Sequence, residues 1–152
     1  MRPAAPDDCA AINNLIRELA VFEKAEHEMQ VSVEELRAHL FGKKPFAEAL
    51  VAIRDGAVAG TAVFYEKYST WKGPAVHLED LVVRESARNA GIGAALLEEV
   101  IRIAGRRGYG RVYWQVLDWN EDAVRFYKRF GARFDAEWLN VYVEIDPLKP
   151  LK

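Results

Sequence analysis

Two glycines, Gly91 and Gly93, stand one residue apart in the segment RNAGIGAALLEEV at residues 88–100. The segment follows a run rich in branched apolar residues and opens an apolar pattern of helical period. At such a place the free backbone N–H groups and the helix dipole can bind an anion, and glycine lets the backbone approach it closely. The alternative is a tight turn that only joins two elements. The residues themselves leave both interpretations open.

The glycine spacing differs from that of the common nucleotide-binding motifs. No Lys-Ser or Lys-Thr pair follows Gly93, which excludes a P-loop. Leu96 stands where a dinucleotide-binding turn has its third glycine, and only a single β-α-β unit is left after the hairpin for such a fold. A Rossmann-type dehydrogenase is therefore excluded.

Two adjacent acids, Glu79 and Asp80, interrupt the apolar run VHLEDLVV. Alternation along a strand predicts that they lie on opposite faces. A charged pair among apolar side chains is costly unless one carboxylate faces a wet cleft. The alternative is a pair of edge-strand charges that discourage sheet aggregation.

A second pair of polar side chains, Asn120 and Tyr127, is seven residues apart, which places both on nearly the same face of a helix. Taken alone, Asn120 is a helix N-cap and Tyr127 is an amphipathic core residue. The pattern by itself gives neither of them a chemical role.

Composition narrows the class of protein. The 152 residues predict one domain, residues 1–152, and the net charge of -2 gives no basic field for nucleic acid or an anionic membrane. No apolar run is long enough to span a bilayer and no signal peptide opens the chain, so a cytoplasmic location is expected. The single cysteine, Cys9, has acidic neighbours and is expected in the core, and the three histidines show no metal-ligand spacing.

Hydrophobic periodicity predicts a mixed α/β domain with one three-layer core. Predicted helices cover residues 6–25, 32–42, 91–108 and 120–131, and predicted strands cover 1–4, 46–54, 57–68, 75–83, 111–117 and 138–145. The β-α-β order around the glycine turn requires a parallel strand pair with a right-handed crossover.

The segment from Arg88 to Ala94 matches the Arg/Gln-x-x-Gly-x-Gly/Ala signature of the GNAT acyltransferase superfamily, and the resemblance covers nearly the whole chain. The segments ELAVFEKAE, HLEDLVV and WNEDAVRFYKRFGA resemble the diamine/polyamine and thialysine N-acetyltransferase branch. The resemblance implies a mixed, mostly antiparallel sheet that is flanked by helices and has a central parallel strand pair.

The resemblance also implies acetyl-CoA as the co-substrate, with its pyrophosphate on the backbone amides of the glycine turn and its pantetheine arm along the preceding strand. The residues so implied are Leu81, Val82, Val83, Arg88, Asn89, Ala90, Gly91, Ile92, Gly93, Ala94, Asn120 and Tyr127. The commoner signature has glycine where Asn89 stands. Asparagine tolerates a positive φ, so we expect the turn to be preserved.

By the same resemblance, Glu79 is the base that deprotonates the acceptor amine through water, and Asp80 helps to hold the cationic amine. Tyr127 is the acid that protonates the departing thiolate. Glu23 and Trp138 line the amine site, although Phe22 stands beside Glu23 where the branch has a tyrosine. No metal is implied.

The acceptor implied is a small primary amine, either a polyamine or diamine or a thialysine-like compound. Two alternatives stay open, namely a protein or peptide amine as acceptor, and a non-catalytic acyl-CoA-binding module. A homodimer is expected from the family and from four aromatic residues with an exposed pattern, Trp114, Trp119, Trp138 and Tyr142.

Overall fold

The computed structural model describes residues 1–145, which form two compact units. The first unit covers residues 1–115, and the second begins at Val116. The organisation of the chain as one domain stays a prediction.

The first unit contains most of the regular structure. Its elements are β1 (Arg2–Pro3), α1 (Cys9–Phe22), α2 (Val33–Phe41), β2 (Glu48–Arg54), β3 (Ala57–Ser69), β4 (Gly73–Val83), α3 (Ile92–Arg106) and β5 (Val112–Tyr113). Short 3-10 turns lie at Pro6–Asp8, Glu26–Glu28 and Glu85–Ala87. In the described part of the second unit the regular element is α4 (Glu121–Lys128).

The sheet has the order β1-β2-β3-β4-β5. The pairings from β1 to β4 are antiparallel, and β4 pairs with β5 in parallel. Helix α3 connects the parallel pair, as the β-α-β order requires. The predicted fold class, a mixed and mostly antiparallel sheet with a parallel pair, is confirmed.

Local turn and cap signals determine where several elements begin and end. Asp55 and Gly56 have φ values of 51° and 78° and join β2 to β3 as a tight hairpin. Ser32 and Glu35 form the predicted capping box, in which each side chain accepts a hydrogen bond from the backbone N–H of the other residue. These signals lie within a few residues and fold as the sequence indicates.

Helices cover both faces of the sheet. On one face, α1 and α2 bury a cluster with inward residues of the strands: Cys9, Ile12, Leu15, Leu36, Leu40, Ala49, Val51, Val58, Val63 and Val82. The opposite face carries α3, which approaches the backbone of β3 closely at Gly60. A Cβ atom on Gly60 would lie 2.9 Å from the Val82 oxygen and 3.1 Å from Cγ2 of Ile92. The first turn of α3 is therefore seated directly on the sheet.

Two sequence predictions about strands were wrong. The strand expected over residues 111–117 is limited to Val112–Tyr113. Residues 138–145 form no strand within the described part of the chain, and Leu139 and Val141 are each 86% exposed. An alternating pattern gives only a propensity, since a strand also needs a neighbour to satisfy its backbone groups.

Candidate active site

The glycine turn has the backbone conformation that the sequence indicates. Asn89 and Gly91 have φ values of 61° and 78°, both in the left-handed region, so the expectation for Asn89 is confirmed. Gly91 is the N-cap of α3, and its carbonyl accepts the first helical hydrogen bond from the N–H of Ala95 at 3.0 Å. No side chain caps this helix among the described residues. The backbone N–H groups of its first turn, at residues 92–94, therefore have no acceptor within the helix and point out from its N-terminal end.

Arg88 links this turn to the end of β4. Its Nε donates to the carbonyl oxygen of Val83 at 3.2 Å, and its backbone N–H donates to the oxygen of Glu85 at 3.1 Å. The residue is otherwise exposed, so the outer N–H groups of its guanidinium are open to solvent. A positive charge and outward N–H groups at one helix start favour a bound anion.

The edge of β4 that leads to this turn is open. The parallel ladder to β5 consists of two pairs, Val76 with Val112 and His77 with Tyr113. Beyond His77, no strand of residues 1–145 pairs with this edge of β4, whereas the opposite edge remains paired with β3 as far as Val83. The predicted contacts of Leu81, Val82 and Val83 with an extended ligand fall on this stretch, and the Val83 oxygen already accepts from Arg88.

A β-bulge lies in the same stretch of β4. Val63 of β3 is paired with Asp80 and Phe64 is paired with Leu78, so Glu79 is the extra residue. The strict alternation used above to place Glu79 and Asp80 on opposite faces does not apply across a bulge, and that argument was wrong. The side chain of Glu79 is 54% exposed, whereas Asp80 is half-buried.

Three carboxylates come together at the bulge. Burial, the charge of Glu79 and the charge of Glu23 raise the pKa of Asp80 to about 6. Glu23 lies at the C-terminal end of α1, and burial raises its pKa as well. The structure therefore brings together three of the residues predicted to bind the substrate, and it builds an anionic cluster that a cation would neutralise.

Two further residues, Tyr65 and His77, contact the exposed carboxylate of Glu79. Nε2 of His77 lies 3.5 Å from Oε2 of Glu79, and the rings of Tyr65 and His77 stack with centroids 4.9 Å apart. Burial, the charge of Glu79 and a hydrogen bond to Glu79 raise the pKa of the Tyr65 phenol. Sequence reasoning missed both residues. His77 could have been noticed two positions before Glu79 on one strand, but the position of Tyr65 depends on the register of β3.

The second unit holds Asn120, Tyr127 and Trp138. Oδ1 of Asn120 accepts from the N–H of Ala123 at 3.2 Å, so Asn120 is the N-cap of α4. Tyr127 is buried on the same helix, with its ring centroid 5.1 Å from that of Phe126. Trp138 is 72% exposed. The roles of these three residues toward acetyl-CoA and the amine stay predictions.

The cysteine, the metal-binding side chains and the apolar character of the helices can be compared with the sequence predictions. Cys9 is fully buried, and burial raises the pKa of its thiol, which confirms it as a core residue. Among residues 1–145, no group of three or more His, Cys, Asp or Glu side chains is arranged to hold a metal ion. Over the same described range, no helix has the length and apolar character needed to cross a membrane.

Two relatives in sequence and one solved structure are similar to this chain over most of its length. Thialysine N-epsilon-acetyltransferase of Mus musculus is 38% identical over 162 residues, covering 99% of this chain and 95% of that protein. L-ornithine N5-acetyltransferase of Arabidopsis thaliana is 28% identical over 184 residues, covering 91% and 81%. The solved structure of an integron cassette protein from the mobile metagenome of V. cholerae has the same fold. Its TM-score is 0.76 at 23% identity, with 95% of this chain and 91% of that chain covered.

The model of the Acetyltransferase (GNAT) family matches residues 11–132, which include the open edge of β4, the glycine turn and α4. The resemblance noted from the sequence is thereby confirmed. This chain is an N-acetyltransferase and belongs to the GNAT family.

Proposed function

We propose that the enzyme transfers the acetyl group of acetyl-CoA to the primary amine of a small cationic acceptor of the thialysine or diamine class. The observation that carries this proposal is the cluster of Glu23, Glu79 and Asp80 beside the open edge of β4. An ammonium group is the natural partner of such a cluster, since it neutralises carboxylates that otherwise repel one another. Relatives that are named for thialysine and ornithine support an amino acid with an amine side chain.

The glycine turn suits the pyrophosphate of acetyl-CoA. The outward N–H groups of Ile92, Gly93 and Ala94 and the guanidinium of Arg88 would hold that anion. The open edge of β4 would accept the pantetheine arm as an added strand would be accepted. Acetyl-CoA supplies the acetyl group in activated form, as a thioester.

The acceptor amine has a pKa of about 10 in water and must lose a proton before it can attack. Glu79 would accept this proton through a water molecule, because its carboxylate is exposed beside the cluster. Asp80 and Glu23 would hold the ammonium group in place. As the amine nitrogen forms its bond to the acetyl carbon and the bond to sulfur breaks, Tyr127 would donate its proton to the departing thiolate. The transfer is direct in a ternary complex, since Cys9 is buried.

The test is CoA release from acetyl-CoA with thialysine, lysine, ornithine, putrescine, spermidine, spermine and a lysine-containing peptide, each against a blank without acceptor. Glu79→Gln and Tyr127→Phe should each lower kcat/KM for the best amine by about 10²-fold or more. The matched controls are Glu34→Gln on α2 and Tyr68→Phe at the exposed end of β3, and both should keep full activity.

Two results would contradict the proposal. Turnover confined to the peptide would make this a protein acetyltransferase, and acetyl-CoA binding without turnover on any amine would leave a binding module.

A homodimer and a cytoplasmic location stay predictions. Sedimentation equilibrium tests the homodimer. Trp138 and Tyr142 are 72% and 82% exposed, which makes them the aromatic residues available for a dimer contact.

A further inference from the structure

His77 is buried beside the proposed base, and the mechanism above does not use it. Its side chain is 11% exposed. It is paired with Tyr65 of β3 on one side and with Tyr113 of β5 on the other, at the last pair of the parallel ladder. The Tyr65 ring stacks on the imidazole at an interplanar angle of 29°. The ring of His77 is therefore fixed by two strands at the point where β4 and β5 part.

The two ring nitrogens of His77 have different surroundings. Nε2 lies 3.5 Å from Oε2 of Glu79. Nδ1 is buried and has no hydrogen-bond partner among the described residues. Burial lowers the pKa of His77, and the charge of Lys67 adds to this effect, whereas the charge of Glu79 opposes it. The lowered pKa favours the neutral imidazole, which carries one ring proton.

The position of that proton follows from the surroundings. A proton on Nε2 points at a carboxylate, which is a favourable arrangement. A proton on Nδ1 would be a buried donor without an acceptor, and it would turn the lone pair of Nε2 toward a negative charge. The neutral Nε2–H tautomer is thus the favoured form. The 3.5 Å separation is long for a hydrogen bond, and a small rotation of the exposed Glu79 side chain would shorten it.

The contact with Nε2 of His77 would restrict the rotation of the Glu79 side chain. Glu79 is the extra residue of a bulge and its side chain is 54% exposed, so its carboxylate has several rotamers available in water. A general base must be held within reach of its proton or of the water that carries it. Nε2 of His77 and the phenol of Tyr65 offer donors from the protein side. The remaining lone pairs of the carboxylate then face the cleft.

We propose that His77 is a positioning residue, whose Nε2–H holds the Glu79 carboxylate in the orientation needed to receive the proton of the acceptor amine, while the ring of Tyr65 stacks on the imidazole and fixes it. This inference rests on the proposed function, in which Glu79 is the base.

The kinetic test compares His77→Phe with His77→Gln at saturating acetyl-CoA. Phenylalanine keeps the stacking on Tyr65 and removes the donor, so kcat should fall about 10- to 100-fold while the KM for the amine changes less than about threefold. The side-chain amide of glutamine places an N–H near the position of Nε2 and should restore kcat to within about threefold. His39→Gln on α2 is the matched control and should leave both constants unchanged. Equal losses of kcat in the two His77 variants, or full activity in a folded His77→Phe, would overturn the proposal.

A second measurement is independent of turnover. In ¹⁵N NMR spectra of the resting enzyme, His77 should show the Nε2–H tautomer at pH 7. In Glu79→Gln its pKa should be lower still, because the charge that raises it is gone. A proton on Nδ1, or an unchanged titration in Glu79→Gln, would refute the positioning role even if Glu79 is the base. If the NMR result is as expected and Glu79→Gln keeps full activity, the assignment of the base fails instead.

Discussion

Asp80 makes the stability of this enzyme depend on pH in a direction opposite to that of most carboxylates. Its pKa rises from the ordinary 3.8 to about 6 in the folded protein, first through burial and then through the charges of Glu79 and Glu23. The folded state therefore binds this proton more tightly than the unfolded chain does. Between about pH 4 and pH 6, ionisation of Asp80 should lower the free energy of unfolding as the pH rises, and above pH 6 the whole penalty is present.

The size of this loss of stability follows from the difference between the ordinary pKa of 3.8 and the pKa of about 6 in the folded protein. At 1.36 kcal/mol per unit, the ionised carboxylate costs at most about 3 kcal/mol above pH 6. Asp80 is half-buried, and solvent relaxation reduces this value, so we expect about 1 to 3 kcal/mol. Asp80→Asn keeps the shape and removes the charge. It should be more stable than the parent protein by this amount at pH 8, and the difference should disappear near pH 4.

Urea unfolding of both proteins at half-unit intervals from pH 4 to pH 8 measures this difference directly. The control is Asp118→Asn, where an exposed carboxylate is changed in the same way and the difference should stay within about 0.5 kcal/mol throughout. If Asp80→Asn is no more stable than the parent at pH 8, the account of the cluster is wrong. Under the proposed function the same variant should also raise the KM for the amine, since it removes one of the three charges.

Three further predictions concern the turn, its seat on the sheet and the N-terminal ion pair. Gly91→Ala places a side chain on a backbone with φ of 78°, so it should lower the unfolding free energy by about 1 kcal/mol and raise the KM for acetyl-CoA. Gly105→Ala, in the same helix, has open space around the new Cβ and should be neutral or stabilising. Equal effects of the two substitutions in calorimetry and kinetics would contradict this prediction. Gly60→Ala should lower the unfolding free energy by about 1 to 3 kcal/mol, because the new Cβ meets the Val82 oxygen at 2.9 Å and Cγ2 of Ile92 on α3 at 3.1 Å. An unchanged midpoint in urea unfolding would contradict this close approach of α3 to the sheet. The guanidinium of Arg2 and the backbone N–H of Ala5 hold the pKa of Asp8 low against the opposing effect of burial. Asp8→Asn should therefore be about 1 to 2 kcal/mol less stable than the parent protein at pH 7, and this difference should disappear as the pH falls through the lowered pKa. A difference that does not depend on pH would point to packing alone.

Features that depend on neighbours in the sequence could be predicted. The left-handed Asn89, the hairpin turn at Asp55 and Gly56, and the capping box of Ser32 and Glu35 each involve residues at most three positions apart. Their conformations follow from the φ preferences and hydrogen bonds of those residues. The turn at the start of α3 was accessible for the same reason.

Features that depend on register between strands could not be predicted. The bulge at Glu79 arises because Val63 and Phe64 of β3 are paired with Asp80 and Leu78, and nothing in the run LEDLVV specifies that pairing. The stacking of Tyr65 on His77 has the same origin. The strand expected over residues 138–145 fails for a related reason, since the alternation was present and a partner strand was not found among the described residues.

The bulge on β4 separates what folding requires at position 79 from what the chemistry requires there. Glu79 is the extra residue between two pairs of the ladder, so another side chain can replace it without altering the register of β3 and β4. Substitution at position 79 should therefore remove the proposed base at little cost in folding. Deletion of residue 79 should leave Asp80 opposite Val63 and Leu78 opposite Phe64, so the ladder closes without the bulge and the other side chains of β4 keep their faces. We therefore expect variants with residue 79 substituted or deleted to fold and to lose activity, which would mark the bulge as a feature of catalysis and not as a requirement of folding.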